Sequence, residues 1–511
     1  MPLWPKAGTG ATDCHALLRR SSANEATREE RVDMRRSGFF ARRTKIVCTI
    51  GPATSSAAMI EQLIRAGMNV ARLNLSHGTH EEHARHIQTV RKLSARLSSP
   101  VAILMDLPGP KYRTGKLKNG PVRLKKGSEV VLTTRQVEGD ETVIPVNLAT
   151  LPHDIRVGDT VLLDDGAMQL KVTGREGTEV RCKVVVGGLL TEGRGLVVPG
   201  MRTSGPFVTD ALRKCILFAI AQRPDYLALS FVTSAEDVND VKAILHENDA
   251  DIPVVAKIER GVAVSRFGSI LAASEGVMVA RGDLGVDIPL EQVPLVQKDI
   301  IRRCNQAGKP VITATQMMES MVNAHRPTRA EVTDVANAIF DGTDAVMLSA
   351  ETSIGKYPLK AVRMMARIAL ETEGKLAYEQ MLSDRGRWLE QKTDELISYS
   401  ACHTAQVLGA AALVAFTQSG STAGRVSKYR PRMPILAITP DAAVLGRLML
   451  WWGVYPHQVA RVTSAEGLFD AAADLAKQLG LAKPGDLIVI TGGIPIGVVG
   501  STNLLKVRRV E

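Results

Sequence analysis

The sequence predicts an α/β protein: a (β/α)8 TIM barrel with an inserted small all-β lid domain and a C-terminal α/β domain. Three observations predict this fold class. Short apolar runs alternate with amphipathic stretches between residues 45 and 351, a segment of different character interrupts them once, and a separate pattern begins at residue 383. A chain of 511 residues is also too long for one hydrophobic core.

Eight short apolar runs, rich in β-branched residues, are typical of strands that are covered on both faces. They are Lys45–Gly51, Asn69–Ser76, Val101–Leu107, Tyr226–Val232, Pro253–Glu259, Gly276–Asp283, Pro310–Gln316 and Asp344–Glu351. The amphipathic stretches predict helices at Ala57–Ala66, Glu81–Leu97, Ala235–Glu247, Leu290–Gln306 and Val332–Phe340. Eight such units over about 300 residues predict a barrel, in which chemistry is carried at the carboxyl ends of the strands.

The barrel pattern breaks once, between the third and fourth runs. Residues 110–204 hold short alternating runs separated by Gly and Asp turns, which predicts a small β-barrel domain. An insert at this end of a barrel is well placed to act as a lid. The predicted domains are an N-terminal extension (1–43), the barrel (44–109 and 205–382), the lid (110–204) and a C-terminal α/β domain (383–511). Strands are predicted in the last of these at Leu413–Phe416, Pro434–Ile438 and Asp486–Ile490.

Charge and composition limit the classes of partner. The chain carries 64 basic and 53 acidic residues, a net charge of +11. Residues 1–43 contribute nine basic and five acidic residues, or +4, and lack the apolar core of a secretory signal, so a mostly disordered extension is predicted. Aromatic residues are only 4% of the chain, and no apolar run is long enough for a membrane span. We therefore expect phosphorylated small molecules as partners, and neither nucleic acid nor membrane.

The six cysteines are scattered and have neither C-x-x-C nor metal-finger spacing. This usage indicates a reduced, cytoplasmic setting.

Polar and charged residues collect where the predicted strands end. Lys257 and Glu259 lie two residues apart, so they project from one face of their strand, opposite Val254, Ala256 and Ile258. Further polar strand ends supply Arg72, Asn74, Ser76, His77, Asp106, Arg281, Asp283, Thr313, Thr315, Ser349 and Glu351. Helix capping is the alternative for any one of them, but their accumulation over so many strands favours a functional site.

The residue types favour phosphoryl transfer or enolate chemistry. Glu259 and Asp283 form a pair of hard oxygen ligands suited to Mg²⁺. Arg72, Arg113 and Lys257 are cations that can bind phosphate or stabilise an oxyanion. The chain has no G-x-x-x-x-G-K-[ST] loop, so the chemistry does not use a Walker motif.

In these segments the chain resembles the pyruvate kinase family. The matching motifs are TKIVCTIGPAT (44–54), ARLNLSHG (71–78), AKIE (256–259), MVARGDLG (278–285), PVITATQMMESM (310–321), RPTRAEVTDVANAIFDGTDAVMLSAET (326–352) and GSTN (500–503). They cover the barrel almost completely, whereas the insert and the C-terminal domain match more loosely. The resemblance implies a cytoplasmic homotetramer that transfers the phosphoryl group of phosphoenolpyruvate to ADP with Mg²⁺ or Mn²⁺, giving pyruvate and ATP.

The resemblance also implies individual roles. Lys257 would stabilise the transferring phosphoryl group and the enolate oxygen, and Arg72 would bind phosphate from one side. The substrate carboxylate would be bound by Gly282, Asp283 and Thr315, with Thr315 close to the water path that protonates the enolate. The Mg²⁺ would be held by the two carboxylates named above. The nucleotide phosphates would be bound by Asn74, Leu75, Ser76, His77, Arg113 and Arg194.

The monovalent-cation site shows one departure from the family pattern. Its Asn, Ser and Asp match Asn74, Ser76 and Asp106, but Leu107 and Lys111 replace the family's Thr and Glu. An ammonium at Lys111 would supply the charge that K⁺ otherwise brings. We therefore expect activity without K⁺, the pattern of the potassium-independent branch.

Two further departures lie after the Lys–Glu pair of the barrel and in the lid. After the Lys–Glu pair, residues 260–263 read Arg-Gly-Val-Ala where the family frequently has Asn-His-Glu-Gly; this resembles bacterial members and is not expected to disturb the metal. In the lid, Arg194 stands in place of a nucleotide-contacting lysine, which leaves that contact open.

Residues 417–422 in the C-terminal domain form a predicted strand–helix turn that is suited to binding phosphate. Together with residues 500–503 it matches the family's effector pocket, so a sugar phosphate or a nucleotide monophosphate is an expected ligand. An ordinary polar turn is the alternative. The effector residues would be Thr417, Ser419, Gly420, Ser421 and Thr422.

Two other functions stay open from the sequence. One is another barrel enzyme that uses phosphoenolpyruvate. The lid and Arg113 favour ADP as the acceptor and so argue against this function. The other is a catalytically silent regulatory or nucleic-acid-binding relative, suggested by the basic extension alone. A catalytically silent protein is not expected, because the chain keeps Lys257, Glu259, Asp283 and Thr315.

Overall fold

Eight parallel strands close into a barrel at the centre of the chain. The computed structural model describes residues 42–511 except 111, 202, 463, 497 and 499, so residues 1–41 of the predicted N-terminal extension lie outside the described residues. The barrel strands are β1 (Lys45–Thr49), β2 (Val70–Asn74), β3 (Ala102–Leu107), β4 (Tyr226–Leu229), β5 (Val254–Ile258), β6 (Gly276–Ala280), β7 (Val311–Ala314) and β8 (Ala345–Leu348). Neighbours in this order pair in parallel, and β1 pairs with β8 to close the ring. The predicted barrel is confirmed.

The pleat of each strand sorts its side chains between two layers. In β5, Val254, Ala256 and Ile258 pack outward in the core shared with the surrounding helices, while Val255 lies in the cluster that fills the barrel. Because side chains alternate along a strand, Lys257 continues the inward-facing row of Val255. Polar residues at the ends of inward-facing rows therefore converge on one mouth of the barrel.

The surrounding helices agree with the periodicity of the sequence. Ala57–Ala66 and Ala235–Glu247 match their predicted bounds, and Val293–Ala307 follows a short 3₁₀ turn at Leu290–Gln292. The remaining barrel helices are His80–Arg96, Asp210–Gln222, Gly261–Ser265, Phe267–Ala273, Arg281–Asp287, Arg329–Asp341, Ala350–Ser353 and Pro358–Glu373, with further 3₁₀ turns at Pro52–Thr54 and Glu319–Val322. Among the residues described, no helix combines the length and apolarity needed to cross a bilayer.

The insert between β3 and β4 is an all-β unit with its own hydrophobic core. Its six-stranded sheet has the order Leu196–Val197, Thr160–Leu163, Met168–Glu176, Glu179–Val186, Glu129–Thr133 and Val143–Pro145; Val122–Leu124 pairs separately with Gly188–Leu190, and a short helix spans Leu151–Asp154. Residues 112–115 bridge the two edges of the sheet: the Leu196 amide donates to the Tyr112 carbonyl, and the Asn147 amide to the Arg113 carbonyl. The two edges therefore meet, as a small barrel requires.

The C-terminal unit is a five-stranded sheet covered by helices. Its strand order is Val454–Gln458, Ile435–Thr439, Ala412–Phe416, Leu487–Gly493 and Thr502–Arg509, the last running antiparallel. The associated helices are Tyr378–Gly386, Thr393–Val407, Ser421–Lys428, Ala442–Leu448 and Ala465–Gln478. The three central strands lie at the predicted places. The two edge strands are not among the predicted ones, because their mixed polar composition lacks an apolar run.

Direct contacts join the base of the barrel to this C-terminal unit. The Tyr226 hydroxyl donates to the Arg447 carbonyl oxygen at 2.5 Å, and the Arg447 guanidinium pairs with Asp251 at 2.8 Å. The carboxyl of Asp225 accepts a hydrogen bond from the Ile103 amide at 2.7 Å. Gly446 packs directly against the Asp225 carboxyl. A Cβ at residue 446 would lie 1.9 Å from Asp225 Oδ1, so a larger residue does not fit there.

Burial raises the pKa of Asp225 to about 6, although the Ile103 amide, Arg91 and Arg447 act in the opposite direction. Desolvation disfavours the charged carboxylate, and the two guanidinium groups compensate only in part. Asp225 is therefore a titratable group at the contact between the barrel and the C-terminal unit.

We expect Asp225→Asn to stabilise the protein above pH 6 and to have little effect near pH 4. The native pKa of about 6 exceeds the value of about 3.9 expected in the unfolded chain, so the native state binds more protons between these values. Stability then falls as the pH rises through this window and stays reduced above it. Asn keeps an oxygen for the Ile103 amide and does not ionise, so its gain at neutral pH is at most about 3 kcal/mol.

Thermal unfolding of the Asp225→Asn variant and the wild type at about pH 4 and about pH 7.5 measures this difference. An equal difference in stability at both pH values would contradict the raised pKa of Asp225.

Candidate active site

A buried network of two cations and two carboxylates lies at the carboxyl ends of β2, β3 and β5. Arg72 Nε contacts Asp106 Oδ2 at 2.7 Å, and Lys257 Nζ contacts Asp106 Oδ1 at 3.3 Å. Lys257 Nζ also lies 3.0 Å from Glu259 Oε1. All four side chains are at most 10% exposed. All four were predicted as site residues, and the structure brings them together. Asp106 joins the two cations, and Lys257 joins the two carboxylates.

Ser230 completes this network and is absent from the predicted site. Lys257 Nζ donates to Ser230 Oγ at 2.7 Å, while Ser230 Oγ lies 3.2 Å from Asp106 Oδ1 and 2.9 Å from the Leu107 carbonyl oxygen. Its position just after β4, between β3 and β5 in the barrel, accounts for these contacts. A lone serine at a strand end carries no local signal that separates this role from helix capping.

The charges of the network set the pKa directions of its members. Burial disfavours the Lys257 ammonium, but Asp106 and Glu259 outweigh burial and raise the pKa of Lys257. Burial likewise works against the Asp106 carboxylate, yet Lys257 and Arg72 hold its pKa below the ordinary value. Lys257 therefore stays a cation within a desolvated site.

Glu259 and Asp283 form the candidate metal pair. Burial raises the pKa of Glu259; Lys257 opposes this rise, and the nearby Asp283 adds to it. Glu259 Oε2 accepts a hydrogen bond from the Phe231 amide at 2.5 Å, which fixes the direction of the carboxylate. Two carboxylates that repel each other fit a divalent cation placed between them.

In the described part of the chain, no group of three or more His, Cys, Asp or Glu residues is arranged to hold a metal. A two-carboxylate site suits Mg²⁺, which keeps several waters and accepts substrate oxygens as ligands.

A strained turn follows β7 at Thr315 and Gln316. Both residues have positive φ angles, 62° and 53°, in the left-handed region that is costly for residues other than glycine. The Thr315 hydroxyl accepts a hydrogen bond from the Gly282 amide at 2.8 Å and donates to the Ala314 carbonyl oxygen at 2.7 Å. This turn brings Thr315 to Gly282, the residue before Asp283, as the predicted carboxylate-binding group requires.

Arg281 holds this turn in place. Its guanidinium donates to the carbonyl oxygens of Thr315 at 2.8 Å and Gln316 at 3.0 Å, and it pairs with Asp334 at 2.7 Å. The Arg281 side chain is 8% exposed. It stands out in the sequence only as part of a polar strand end, because the left-handed turn that it supports is not visible there.

The predicted nucleotide residues lie in two places. Residues 74–77 form a turn after β2, in which Asn74 Oδ1 accepts a hydrogen bond from the Ser76 amide at 3.1 Å, and the Leu75 amide donates to the Asp106 carbonyl oxygen. The His77 side chain is exposed, and the His77 carbonyl oxygen lies 2.8 Å from His83 Nε2.

Arg113 and Arg194 are neighbours in the insert. Arg113 forms a β-bridge with Gly195 and donates to the Gly193 carbonyl oxygen at 2.7 Å. Arg194 Nη1 lies 3.2 Å from Asp164 Oδ1, and its guanidinium also contacts Thr191. Both arginines therefore stand at the same edge of the insert, although they are widely separated in sequence.

The predicted monovalent-cation residues also cluster. Asn74 and Asp106 are paired across β2 and β3, and Ser76 follows two residues later. Asp106 is already engaged by Arg72 and by the Lys257 network, so its charge is shared among several partners. The fifth residue of the hypothesis, Lys111, lies outside the described residues.

The predicted effector turn lines a cavity in the C-terminal unit. Thr417, Ser419, Ser421 and Thr422 line it together with Gly500, Ser501 and Thr502. Thr422 Oγ1 and Thr502 Oγ1 are 2.8 Å apart, which joins the two segments directly. Gly420 lies just before the helix Ser421–Lys428 with φ of 94°, a conformation that favours glycine, and its amide donates to Thr417 Oγ1.

Comparison with known proteins gives a consistent result over the whole of this architecture. The family model for the pyruvate kinase barrel domain matches residues 41–362, and that for the pyruvate kinase alpha/beta domain matches residues 395–508. A pyruvate kinase of Geobacillus stearothermophilus is 49% identical over 473 residues, covering 92% of this chain and 81% of the relative. One of Staphylococcus aureus strain USA300 is 47% identical over 471 residues, covering 92% and 80%.

A solved structure agrees with the sequence relatives. The crystal structure of a pyruvate kinase from Cryptosporidium parvum has a TM-score of 0.89 and 37% sequence identity, covering 93% of this chain and 97% of its own. The fold and the sequence therefore point to the same family.

We expect Arg281→Gln to lower the free energy of unfolding by about 2–3 kcal/mol, the size of charge-assisted hydrogen bonds lost from a buried site. The variant leaves the carbonyl oxygens of Thr315 and Gln316 without their cationic donor. Arg302→Gln is the matched control, because the Arg302 side chain is 54% exposed, and its change should stay within about 0.5 kcal/mol. Denaturant unfolding of both variants measures the difference. Equal effects would show that Arg281 does not support the turn.

Proposed function

The chain belongs to the pyruvate kinase family, and we propose that it uses the buried Lys257 network to transfer the phosphoryl group of phosphoenolpyruvate to ADP, giving pyruvate and ATP. One observation carries the proposal: a lysine kept cationic beside two carboxylates at the mouth of a closed barrel. A fixed cation in a desolvated site stabilises charge that develops during transfer, and it needs no reorganisation to do so.

Lys257 is proposed as the principal catalytic residue. Its ammonium has three N–H donors. Ser230 and the carboxylates of Asp106 and Glu259 contact this ammonium and so orient it. A bound phosphoenolpyruvate would draw Lys257 Nζ towards the phosphoryl group and the bridging oxygen, which becomes the enolate oxygen and gains negative charge as its bond to phosphorus breaks. Arg72, fixed by Asp106 and Thr49, would bind the phosphoryl oxygens from another side.

The turn at Thr315 is proposed to receive the substrate carboxylate. Gly282 and Asp283 lie in the first turn of the helix Arg281–Asp287, where backbone amides have no partner within the helix. The Gly282 amide donates to Thr315 in the described arrangement, so binding would exchange this internal hydrogen bond for one to the carboxylate. The Thr315 hydroxyl would then be free to orient the water that protonates the enolate carbon.

Glu259 and Asp283 would hold Mg²⁺ or Mn²⁺, which supplies positive charge shared by substrate oxygens. The two carboxylates fit this role because they are close enough for Asp283 to raise the pKa of Glu259. Residues 74–77, with Arg113 and Arg194 in the insert, are proposed to bind the nucleotide phosphates. Their positions at one edge of the insert and after β2 support this assignment.

We expect the purified protein to convert phosphoenolpyruvate and ADP in an assay coupled to lactate dehydrogenase, and removal of divalent cation with EDTA to abolish turnover. Lys257→Met should lower kcat by at least about 10²-fold, the cost of removing one preorganised stabilising group. Lys92→Met, at an exposed position of the barrel, is the control and should behave as wild type. Unimpaired turnover of the Lys257→Met variant would exclude the proposed role.

The protein is further proposed to act without K⁺. Leu107 and Lys111 stand where the family has Thr and Glu, so the sequence offers a resident positive charge. The grouping of Asn74 with Asp106 supports a cation-binding position nearby, which a lysine ammonium would serve.

Replacing K⁺ with tetramethylammonium at matched ionic strength should leave kcat unchanged, whereas Lys111→Glu should make turnover depend on K⁺. The first measurement removes the ion and the second removes its substitute. A collapse of wild-type turnover in tetramethylammonium would contradict potassium independence.

Other features of the proposal concern regulation and organisation. The cavity beside Thr417–Thr422 is proposed to bind a phosphorylated effector, because hydroxyl and backbone donors converge there. We propose a cytoplasmic homotetramer whose domains are the extension 1–43, the barrel 44–109 with 205–382, the lid 110–204 and the C-terminal domain 383–511. The separate hydrophobic clusters of barrel, insert and C-terminal sheet support this division.

A further inference from the structure

The residue after Glu259 connects the barrel to the insert. Arg260 is buried, and its Nη2 donates to the carbonyl oxygens of Val198 at 3.2 Å and Met201 at 3.4 Å. These carbonyls are the two ends of a turn closed by a hydrogen bond from the Met201 amide to the Val198 carbonyl. Residues 198–201, here named the return turn, lie just before the chain re-enters the barrel.

The sequence of the return turn fits a tight, defined structure. It reads Val-Pro-Gly-Met, and Gly200 has φ of 74°. Proline at the second position and glycine at the third are typical of a type II turn. The Arg260 guanidinium therefore binds a preformed backbone target, with donors placed on both carbonyl ends.

The other side of Arg260 is fixed by Asp287. Arg260 Nε lies 3.1 Å from Asp287 Oδ1, and the Gly261 amide donates to Asp287 Oδ2 at 2.6 Å. Asp287 is the last residue of the helix Arg281–Asp287, one turn after Asp283. A carboxylate that is fully buried and bonded in this way gives the guanidinium one orientation.

These contacts tie the return turn to the backbone of both proposed metal ligands. Glu259 immediately precedes Arg260, and Asp283 lies on the helix that ends at Asp287. At the other end of the insert, Gly109 is packed so closely on β4 that a Cβ would lie 2.5 Å from the Ser230 carbonyl oxygen. The insert is thus held at both ends against strand ends of the site.

We propose that Arg260 is a positioning residue: through the return turn it sets the position of the lid relative to the Glu259–Asp283 pair, and so the affinity for the nucleotide. It touches neither the reacting atoms nor the network of Lys257. The inference rests on the proposed function, since the lid residues Arg113 and Arg194 are taken to meet the nucleotide phosphates.

Arg260→Gln should raise the KM for ADP about tenfold, as expected when charge-assisted hydrogen bonds are lost, while kcat and the KM for phosphoenolpyruvate stay within about twofold. Hydrogen exchange at the Met201 amide should become faster in the same variant, because the return turn that this amide closes loses its guanidinium donor. Asp287→Asn should act in the same direction. Arg181→Gln, at a lid arginine whose side chain is 64% exposed, is the control and should change neither quantity.

The outcomes separate this inference from the proposed function. If wild-type protein shows no turnover of phosphoenolpyruvate and ADP, the proposed function fails, and binding of Mg–ADP by calorimetry then replaces the KM as the test of Arg260. An unchanged affinity for ADP in folded Arg260→Gln overturns the inference, as does a parallel loss in kcat and in both KM values. If Arg260→Gln does not fold, Arg260→Lys carries the test: it keeps the charge, loses the fork and should show a smaller rise in the KM for ADP.

Discussion

The buried pairing of Arg72 and Lys257 with Asp106 is the constraint on which the rest of the site depends. Ionised groups are costly to remove from water, and they persist inside a barrel only when partners surround them. Asp106 meets this condition for both cations, at 2.7 Å and 3.3 Å. Because its pKa is held low, the carboxylate keeps its charge, and the cations keep theirs. Loss of Asp106 would leave two buried cations with a single remaining carboxylate, Glu259, in place of two.

The curvature of the barrel wall is what makes this pairing possible, and the loops then take their positions from it. Arg72 and Asp106 come from the neighbouring strands β2 and β3, and Lys257 comes from β5, on the far side of β4. The Leu75 amide donates to the Asp106 carbonyl oxygen, and the Phe231 amide donates to Glu259, so the loops after β2 and β4 are bonded to the residues that carry the charges. The strained turn after β7 needs separate support, which Arg281 provides.

Periodicity predicted the barrel well because its strands are covered on both sides. The apolar run that contains β5 also placed Lys257 and Glu259 on one face, which the structure reproduces. Contacts between side chains of different strands could not be predicted from the sequence. Ser230 resembles an ordinary helix cap in the sequence, and Asp106 was assigned to a cation site by resemblance, although its partners in the structure are Arg72, Lys257 and Ser230. The edge strands of the C-terminal sheet were missed for a different reason: polar residues occur in both Val454–Gln458 and Thr502–Arg509, so no continuous apolar run marks them.

The balance of formal charge gives a physical reason for an added cation at the proposed site. Arg72 and Lys257 are matched by Asp106 and Glu259, so this network is neutral, and Asp283 then makes the site negative by one charge. A negative pocket repels a phosphorylated carboxylate substrate, whereas a divalent cation between Glu259 and Asp283 reverses the sign. An ion at the proposed monovalent-cation site would add a further positive charge to this sum. Because Arg72 and Lys257 are balanced by Asp106 and Glu259, we expect the net attraction for an anionic substrate to depend on the cation proposed to lie between Glu259 and Asp283.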